Sequence, residues 1–436
     1  MAFKLIPSII NLTNYAIGAT LMTIPYSFSE CGIILSLFLV IFISIITIVA
    51  SEFLLQAGVT QRRTTYETLC MSCFGSVGKA ILELNMVGMM YGSLIAYVII
   101  LGDLGSELFH EQMGFSIDTY LRPFVLLILS MVLITPLCLK KNIENLANAS
   151  ALSLLFYTLL TIHLISMQSD SVPVPIVNFS KLNWWKISGL MNVIPIISLG
   201  FTIQTQIFPV FNSIPDSNIK DMKFVIRIST ALVSLCYISV GIFGYWKFSQ
   251  FNPKISADLL SMYPGSTTAT LMKIGFLASV AISYPLTVFP VRSSLYSLFF
   301  VRGGAMPDLS VDSNVIPDKQ FNRITFLVII SSFILGFIMN NIEIVLSLTG
   351  SFSGSIVLFI LPALVYIKSK PISKQRWIAN LLLIFGVTIL GLSFLNTWSS
   401  KDFSIISNIF KRMVLIPYPT EMPQQKINIT AGKSVF

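Results

Sequence analysis

Residues 6–28 read IPSIINLTNYAIGATLMTIPYSF, an apolar segment of membrane-spanning length that is polar in its middle. A simple membrane anchor has only Leu, Ile and Val at this depth, whereas here the middle contains Asn11, Thr13, Asn14, Thr20 and Thr23. An unpaired amide in hydrocarbon costs several kcal/mol, so these groups must face protein, water or a ligand. Gly18 at mid-span and Pro25 seven residues later predict a helix that unwinds inside the bilayer.

The composition of the chain indicates a membrane protein that crosses the bilayer many times. Of its 436 residues, 54% are hydrophobic and 11% are charged, whereas a soluble domain has about 25% charged residues. The mean hydropathy is +0.81. The net charge of +9 is scattered among short loops with no basic stripe, so we expect a lipid bilayer and no nucleic acid as partner.

Apolar stretches of roughly 20 residues recur along the chain and predict eleven transmembrane helices. They lie at about 6–29, 33–57, 80–102, 122–139, 147–168, 189–211, 224–246, 266–291, 324–341, 344–367 and 377–397. We therefore predict one transmembrane domain over residues 1–397 and a polar C-terminal tail over residues 398–436.

The distribution of Lys and Arg predicts the orientation of these spans. Seventeen of these residues fall in the N-terminus and the loops on its side, against five in the opposite loops. Because positive charge is enriched in cytosolic loops, the N-terminus is predicted to be cytosolic and the tail to lie on the other side. The sequons at Asn178 and Asn428 then fall on the non-cytosolic face, where glycosylation occurs.

The sixth span repeats the pattern of the first. Residues 191–211 read MNVIPIISLGFTIQTQIFPVF, with Gly200 at mid-span, then a polar patch, then Pro209. Spans one and six are five apart, so the two halves enter the membrane from opposite sides, as an inverted repeat requires. Such broken helices are typical of secondary transporters. The alternative is that both spans are structural helices kinked by proline.

Two broken helices would give a site with specific chemistry. The N–H groups at the start of a half-helix suit a carboxylate, and exposed carbonyl and hydroxyl oxygens suit an ammonium group or a small cation. Together they complement an amino-acid zwitterion. Spans three and eight add Tyr91, Tyr97, Ser279 and Ser283. Each serine could instead bond to its own helix, and each tyrosine could only fill space.

The sequence lacks the common motifs of enzyme active sites. It has no HExxH, GxSxG or Walker A motif and only two histidines, so we expect neither catalysis nor a cofactor. Cys70 and Cys73 form a lone CxxC pair without the four ligands of a structural zinc site. They are interpreted as two reduced thiols or, alternatively, as sites of lipidation.

Four segments of the chain resemble the amino acid/auxin permease family, which includes sodium-coupled neutral and vacuolar amino acid transporters. The segments are NLTNYAIGATLMTIPYSFSECG at 11–32, LGFTIQTQIFPVF at 199–211, SYPLTVFPVRSSL at 283–295 and TGSFSGSIVLFILPALVYIK at 349–368. The resemblance implies a LeuT-like, all-α membrane fold. In it two inverted repeats of five helices, at about 6–168 and 189–367, are followed by one extra helix.

The resemblance also implies where the site lies. The first helix would hold the substrate carboxylate near its middle, and sodium-coupled members have polar ion ligands at the positions of Asn14 and Ser283. With the polar positions above, the predicted substrate-binding residues are Asn14, Ile17, Gly18, Ala19, Thr20, Tyr91, Gly200, Thr202 and Gln204. The predicted ion-binding residues are Asn14, Ser279 and Ser283. The chain departs from the family at Thr20, where a glycine is usual, and at Gln204, where a histidine is common.

These observations predict a secondary active transporter that moves amino acids by alternating access, coupled to Na⁺ or H⁺. Because the mid-depth positions of spans one, three, six and eight have no charged residue, the substrate is predicted to be neutral. We expect a monomer in the plasma membrane or in a vacuolar or lysosomal membrane. The alternative is an amino-acid-sensing receptor on the same fold.

Overall fold

The structure is a computed structural model that describes residues 2–113, 121–139, 147–166, 182–214, 218–250, 255–263, 267–300, 316–339, 341–370 and 374–399. Residues Met1–Asn396 form one compact unit. Both sequons and the tail beyond residue 399 lie outside the described residues. The predicted division of the chain at residue 397 stays a prediction.

All regular structure in these ranges is helical. The helices are α1 (Ala2–Ile17), α2 (Thr20–Cys31), α3 (Ile33–Gln61), α4 (Tyr66–Met113), α5 (Leu121–Leu129), α6 (Thr135–Cys138), α7 (Ala147–Ser166), α8 (Leu190–Gly200), α9 (Ile207–Ser213), α10 (Ile219–Ser249), α11 (Thr267–Phe300), α12 (Asp318–Ile338), α13 (Ile342–Thr349), α14 (Leu361–Ser369) and α15 (Arg376–Ser399). The prediction of an all-α membrane fold is confirmed.

Each predicted span falls on one or more of these helices. In the described residues, eight helical segments are long and apolar enough to cross a bilayer. The first predicted span is a bent pair of helices, Lys4–Ile17 and Thr20–Cys31, whose axes differ by 56°. The fifth and eleventh predicted spans coincide with the shorter apolar helices Ala151–Ser166 and Arg376–Leu392.

Both predicted helix interruptions are present. Helix α1 ends at Ile17 and α2 begins at Thr20, so residues 18–19 form the first break. Gly18 has φ +39°, a value that favours glycine. Helix α8 ends at Gly200 and a short 3₁₀ turn begins at Gln204, so residues 201–203 form the second break.

Three helices differ from the predicted boundaries. Residues 66–113, labelled α4, are two helical stretches that meet at a kink at Gly75 (φ +70°), so a short helix from Tyr66 precedes the predicted third span. Helix α11 continues to Phe300, since its apolar residues persist and no glycine intervenes before Gly303. The tenth span contains two stretches of π-helix between α13 and α14, which the apolar pattern did not indicate.

The broken helices lie inside the bundle. Helix α8 packs against α2 and α13, and α10 packs against α1, α2 and α3. Gly350 contacts the carbonyl oxygen of Pro195 so closely that a side chain at position 350 would clash with backbone. The close approach places α8 next to the tenth span.

Ion pairs join the helices near their ends. Lys273 of α11 is 2% exposed, and its Nζ lies 3.1 Å from Glu107 Oε2 and 2.8 Å from Glu111 Oε1 of α4. Arg122 of α5 lies 2.9 Å from Asp103 of α4. The charge of Lys273 is therefore neutralised by α4.

Asp258 adds a further carboxyl beside these ion pairs, in the connection between α10 and α11. Its side chain is buried, and Oδ2 has no hydrogen-bond partner among the described residues. Burial first, and then the charges of Asp103 and Glu107, raise the pKa of Asp258 from 3.8 to about 7. The folded protein therefore binds this proton more tightly than the unfolded chain.

The sign of this pKa shift predicts how stability depends on pH. A carboxyl with a raised pKa in the folded state stabilises the fold at low pH, and this stabilisation is lost as pH rises from about 4 to about 7. We expect the melting temperature of the detergent-purified protein to fall between about pH 4 and pH 7, and Asp258→Asn to reduce the fall. Asp221→Asn, in the first turn of α10, is the control, and this variant should show the same fall in melting temperature as the wild type. An unchanged fall in Asp258→Asn would contradict this assignment.

Candidate functional site

A cavity lies where the first break faces helices α4, α8 and α11. It encloses about 690 Å³ of empty space including its opening to solvent. The residues lining it are Asn14, Tyr15, Ala16, Gly18, Ala19, Thr20, Met89, Met90, Ser93, Tyr97, Leu199, Thr202, Ser283, Leu286, Thr287 and Leu346.

The first break supplies a helix N-terminus to this cavity. Helix α2 begins at Thr20, and its N-cap residue Ala19 makes no side-chain capping bond. The first N–H groups of a helix have no partner within it and lie at the positive end of its dipole. Because residues 18–20 line the cavity, this end of α2 is suited to a carboxylate.

Asn14 contributes an acceptor without a partner. Asn14 is 8% exposed, and its side-chain Oδ1 is buried with no hydrogen bond within the described part of the chain. A buried amide oxygen left unpaired costs about 1–3 kcal/mol. An ammonium group or a small cation in the cavity would satisfy it.

Hydroxyl groups from three helices meet on the α11 side of the cavity. The hydroxyl of Tyr97 of α4 lies near those of Ser283 and Thr287 of α11. Tyr157 of α7 contacts Ser283 and lies 3.1 Å from the hydroxyl of Ser279. These groups offer neutral oxygen atoms to a ligand, so they can bind a cation without a fixed negative charge.

The remaining wall of the cavity is apolar. Met89, Met90, Leu199, Leu286 and Leu346 line it. Among the described lining residues there is no Asp, Glu, Lys, Arg or His. A charged ligand side chain would find no counter-charge here, at a cost of several kcal/mol.

The structure brings together six of the predicted site residues. The cavity is lined by Asn14, Gly18, Ala19, Thr20, Thr202 and Ser283. The hydroxyl of Thr20 donates to the carbonyl oxygen of Ile17 at 2.9 Å, so its proton is hydrogen-bonded to the backbone at the first break.

Five predicted residues lie outside the cavity lining. Ile17 and Gly200 are buried at the ends of α1 and α8. Their carbonyl oxygens lie at the breaks, within hydrogen-bond distance of the Tyr237 hydroxyl. Gln204 hydrogen-bonds to the N–H of Ile203 and to the carbonyl oxygen of Leu358, so it ties the second break to the tenth span.

The last two of these residues contact neighbouring helices. Tyr91 hydrogen-bonds with Ser331 of α12, on another face of α4. Ser279 hydrogen-bonds with the hydroxyl of Tyr157 of α7 at 3.1 Å, and neither residue lines the cavity.

Two tyrosines outside the predicted set contact the breaks. Tyr15 lies next to Asn14, and its hydroxyl accepts a hydrogen bond from Thr205 at 3.1 Å. Tyr237 of α10 is fully buried and touches both breaks. Sequence patterns do not single out Tyr237, because it stands in an unbroken apolar helix far along the chain.

Comparison with known proteins places the chain among membrane transporters. A family model described as "Transmembrane amino acid transporter protein" matches residues 4–401. Solute carrier family 38 member 10 of Homo sapiens is 30% identical over 404 residues, covering 90% of this chain and 35% of that protein. The chain therefore spans about a third of the length of such relatives.

Other relatives match over most of their own length. Vacuolar amino acid transporter 5 of Schizosaccharomyces pombe is 24% identical, covering 82% of this chain and 83% of that protein. A solved structure of a Na⁺-coupled sialic acid symporter superposes with a TM-score of 0.53 at 15% identity, covering 96% of this chain and 91% of that one. At this identity the likeness shows the fold, which is LeuT-like as predicted.

Proposed function

Since this chain belongs to the transmembrane amino acid transporter family, we propose that it is a secondary active transporter of neutral amino acids. One observation carries the proposal. An uncapped helix N-terminus and an unpaired amide oxygen face the same uncharged cavity at the first break. The helix N-terminus suits the carboxylate of an amino acid, and the amide oxygen suits the coupling ion. The described lining has no charged residue that could pair with a charged substrate side chain.

The geometry supports one orientation of the substrate. The carboxylate accepts from the first N–H groups of α2 at residues 18–20, where the helix dipole favours negative charge. The ammonium group donates to oxygen atoms at the second break, such as those of Thr202 and Leu199. The substrate side chain then lies against Met89, Met90 and Leu346, whose flexible or branched side chains tolerate several shapes.

We assign the coupling ion to the region around Asn14 and Ser283. The unpaired Oδ1 of Asn14 and the hydroxyls of Ser283 and Thr287 line one cavity. Neutral oxygen ligands suit Na⁺, whereas proton coupling needs a group that titrates. A relative from Xenopus laevis is named as a putative sodium-coupled neutral amino acid transporter, which supports Na⁺.

A receptor that binds amino acids without moving them is the second candidate. The relatives compared here are named as transporters, and the family description is that of a transporter. No feature of the described residues favours a receptor over a transporter. We further propose the predicted orientation, with a cytosolic N-terminus, and a vacuolar or lysosomal membrane, on the likeness to vacuolar transporters.

Competition between substrates tests the preference for neutral amino acids. We expect unlabelled alanine, glutamine or leucine to inhibit uptake of a labelled neutral amino acid into proteoliposomes. Arginine and glutamate should inhibit at least about tenfold more weakly, because their side chains meet no counter-charge in the cavity. Equal inhibition by arginine or glutamate would refute the preference.

A further inference from the structure

The hydroxyl of Tyr237 lies where the two broken helices end. It is 2.9 Å from the carbonyl oxygen of Gly200, 3.1 Å from that of Ala16 and 3.2 Å from that of Ile17. The hydroxyl of Thr20 lies 3.1 Å away. One side chain of α10 therefore contacts both sides of the first break and the start of the second.

Two helix C-termini meet at the Tyr237 hydroxyl, and both present carbonyl oxygens that need a hydrogen-bond donor. Ile17 and Gly200 are the last residues of α1 and α8, so their carbonyl oxygens have no partner within their helices. Each helix end carries about half a negative charge, and here two such ends meet. The Tyr237 hydroxyl is a donor placed between them.

The Tyr237 hydroxyl has fewer protons to donate than it has acceptors within hydrogen-bond distance. Thr20 donates its own proton to Ile17, so its oxygen can accept from Tyr237. Tyr237 then has one proton for three carbonyl oxygens and one hydroxyl oxygen. The contact depends on the exact position of both helix ends, because moving either one removes an acceptor.

Packing fixes the ring of Tyr237 in this position. The residue is fully buried, and Phe201 of the second break packs edge-on against the ring at 5.5 Å. A side chain at Gly200 would lie 2.8 Å from the ring and from the hydroxyl. The ring therefore cannot shift without moving the second break.

We propose that Tyr237 is the positioning residue that holds the two breaks at a fixed separation and thereby sets the affinity for the substrate. Tyr237 does not line the cavity, so it acts through Thr20 and through the carbonyl groups of both breaks. The inference rests on the proposed placement of the substrate at the first break.

Removal of the hydroxyl tests the inference, with a matched control. Tyr284 of α11 is equally buried, and its hydroxyl lies 2.6 Å from Ser332 of α12, outside the cavity lining. We expect Tyr237→Phe to weaken the apparent substrate affinity by at least about tenfold, whereas Tyr284→Phe stays within about twofold. Both variants should lose thermal stability, so affinity separates positioning from packing.

A double variant tests whether Tyr237 acts through Thr20. If the two hydroxyls work as one unit, Tyr237→Phe combined with Thr20→Val should bind substrate about as weakly as the weaker single variant. Fully additive losses would show that Tyr237 does not act through Thr20. A wild-type affinity in Tyr237→Phe would overturn the inference as a whole.

The same experiment separates this inference from the proposed function. If Gly18→Ala and Thr20→Val both keep wild-type affinity, the substrate does not bind at the first break, and the proposed site fails. If they weaken binding and Tyr237→Phe does not, only the role of Tyr237 fails.

Gly200→Ala covers the case in which Tyr237→Phe does not fold. A Cβ atom at position 200 would lie 2.8 Å from the ring and from the hydroxyl of Tyr237, so this variant displaces the hydroxyl without removing it. We expect the apparent substrate affinity to fall by at least about tenfold. Gly105→Ala, whose Cβ atom would lie 2.7 Å from Val125 and outside the cavity lining, is the control, and a wild-type affinity in Gly200→Ala would contradict the proposal.

Discussion

Gly18→Ala is expected to lower uptake by at least about tenfold, through weaker substrate binding. Gly18 has φ +39°, where a side chain is strained, and a Cβ atom there would lie 3.2 Å from the hydroxyl of Tyr97. The substitution therefore moves both the helix end that faces the carboxylate and the hydroxyl that reaches Ser283 and Thr287. Concentration-dependent uptake into proteoliposomes measures the effect.

Gly75→Ala is the matched control for Gly18→Ala. Gly75 has φ +70°, so alanine is strained there as well, but nothing lies within 4 Å of the added Cβ. We expect a loss of stability of about 1 kcal/mol with transport within about twofold of the wild type. Equal losses of transport in both variants would show that backbone strain, and not the cavity, causes the effect at Gly18.

Asn14→Ala is expected to remove the coupling of transport to the ion gradient. The amide oxygen of Asn14 is the buried acceptor that has no partner among the described residues, so we assign it to the coupling ion. Without it, uptake should fall by at least about tenfold, and the ratio of uptake with and without the driving gradient should approach one. Measuring uptake at graded Na⁺ concentrations and at graded pH tests this prediction.

Asn85→Ala provides the control for Asn14→Ala. Asn85 of α4 is half-exposed, and its amide donates to the carbonyl oxygen of Ile81 within the same helix at 2.7 Å. Its removal should leave gradient-driven uptake at the wild-type level. Gradient-driven uptake by Asn14→Ala would instead place the ion elsewhere.

The two breaks could be predicted from the sequence because their causes are local. Gly18 and Gly200 each stand in the middle of an apolar span, with polar residues around them and a proline about two to three turns later. Such a span cannot remain a regular helix and also satisfy its polar groups. The same argument identified Asn14 and Thr202, which line the cavity.

Other parts of the site depend on contacts that the sequence does not show. Gln204 belongs to the polar patch, but the 3₁₀ turn directs it towards Leu358 instead of the cavity. Tyr237 reaches the first break from more than 200 positions along the chain, as its bond to Ala16 shows. Tyr91 lies near α12, because packing against neighbouring helices sets the rotation of α4.

Uptake of labelled alanine into proteoliposomes, with Na⁺ and pH gradients imposed separately, tests the central claim most directly. The uncharged cavity at the first break and the unpaired oxygen of Asn14 predict accumulation above the equilibrium level when the Na⁺ gradient is present. Collapse of that gradient by an ionophore should abolish the accumulation. Binding of alanine without uptake under either gradient would contradict the account and favour a receptor.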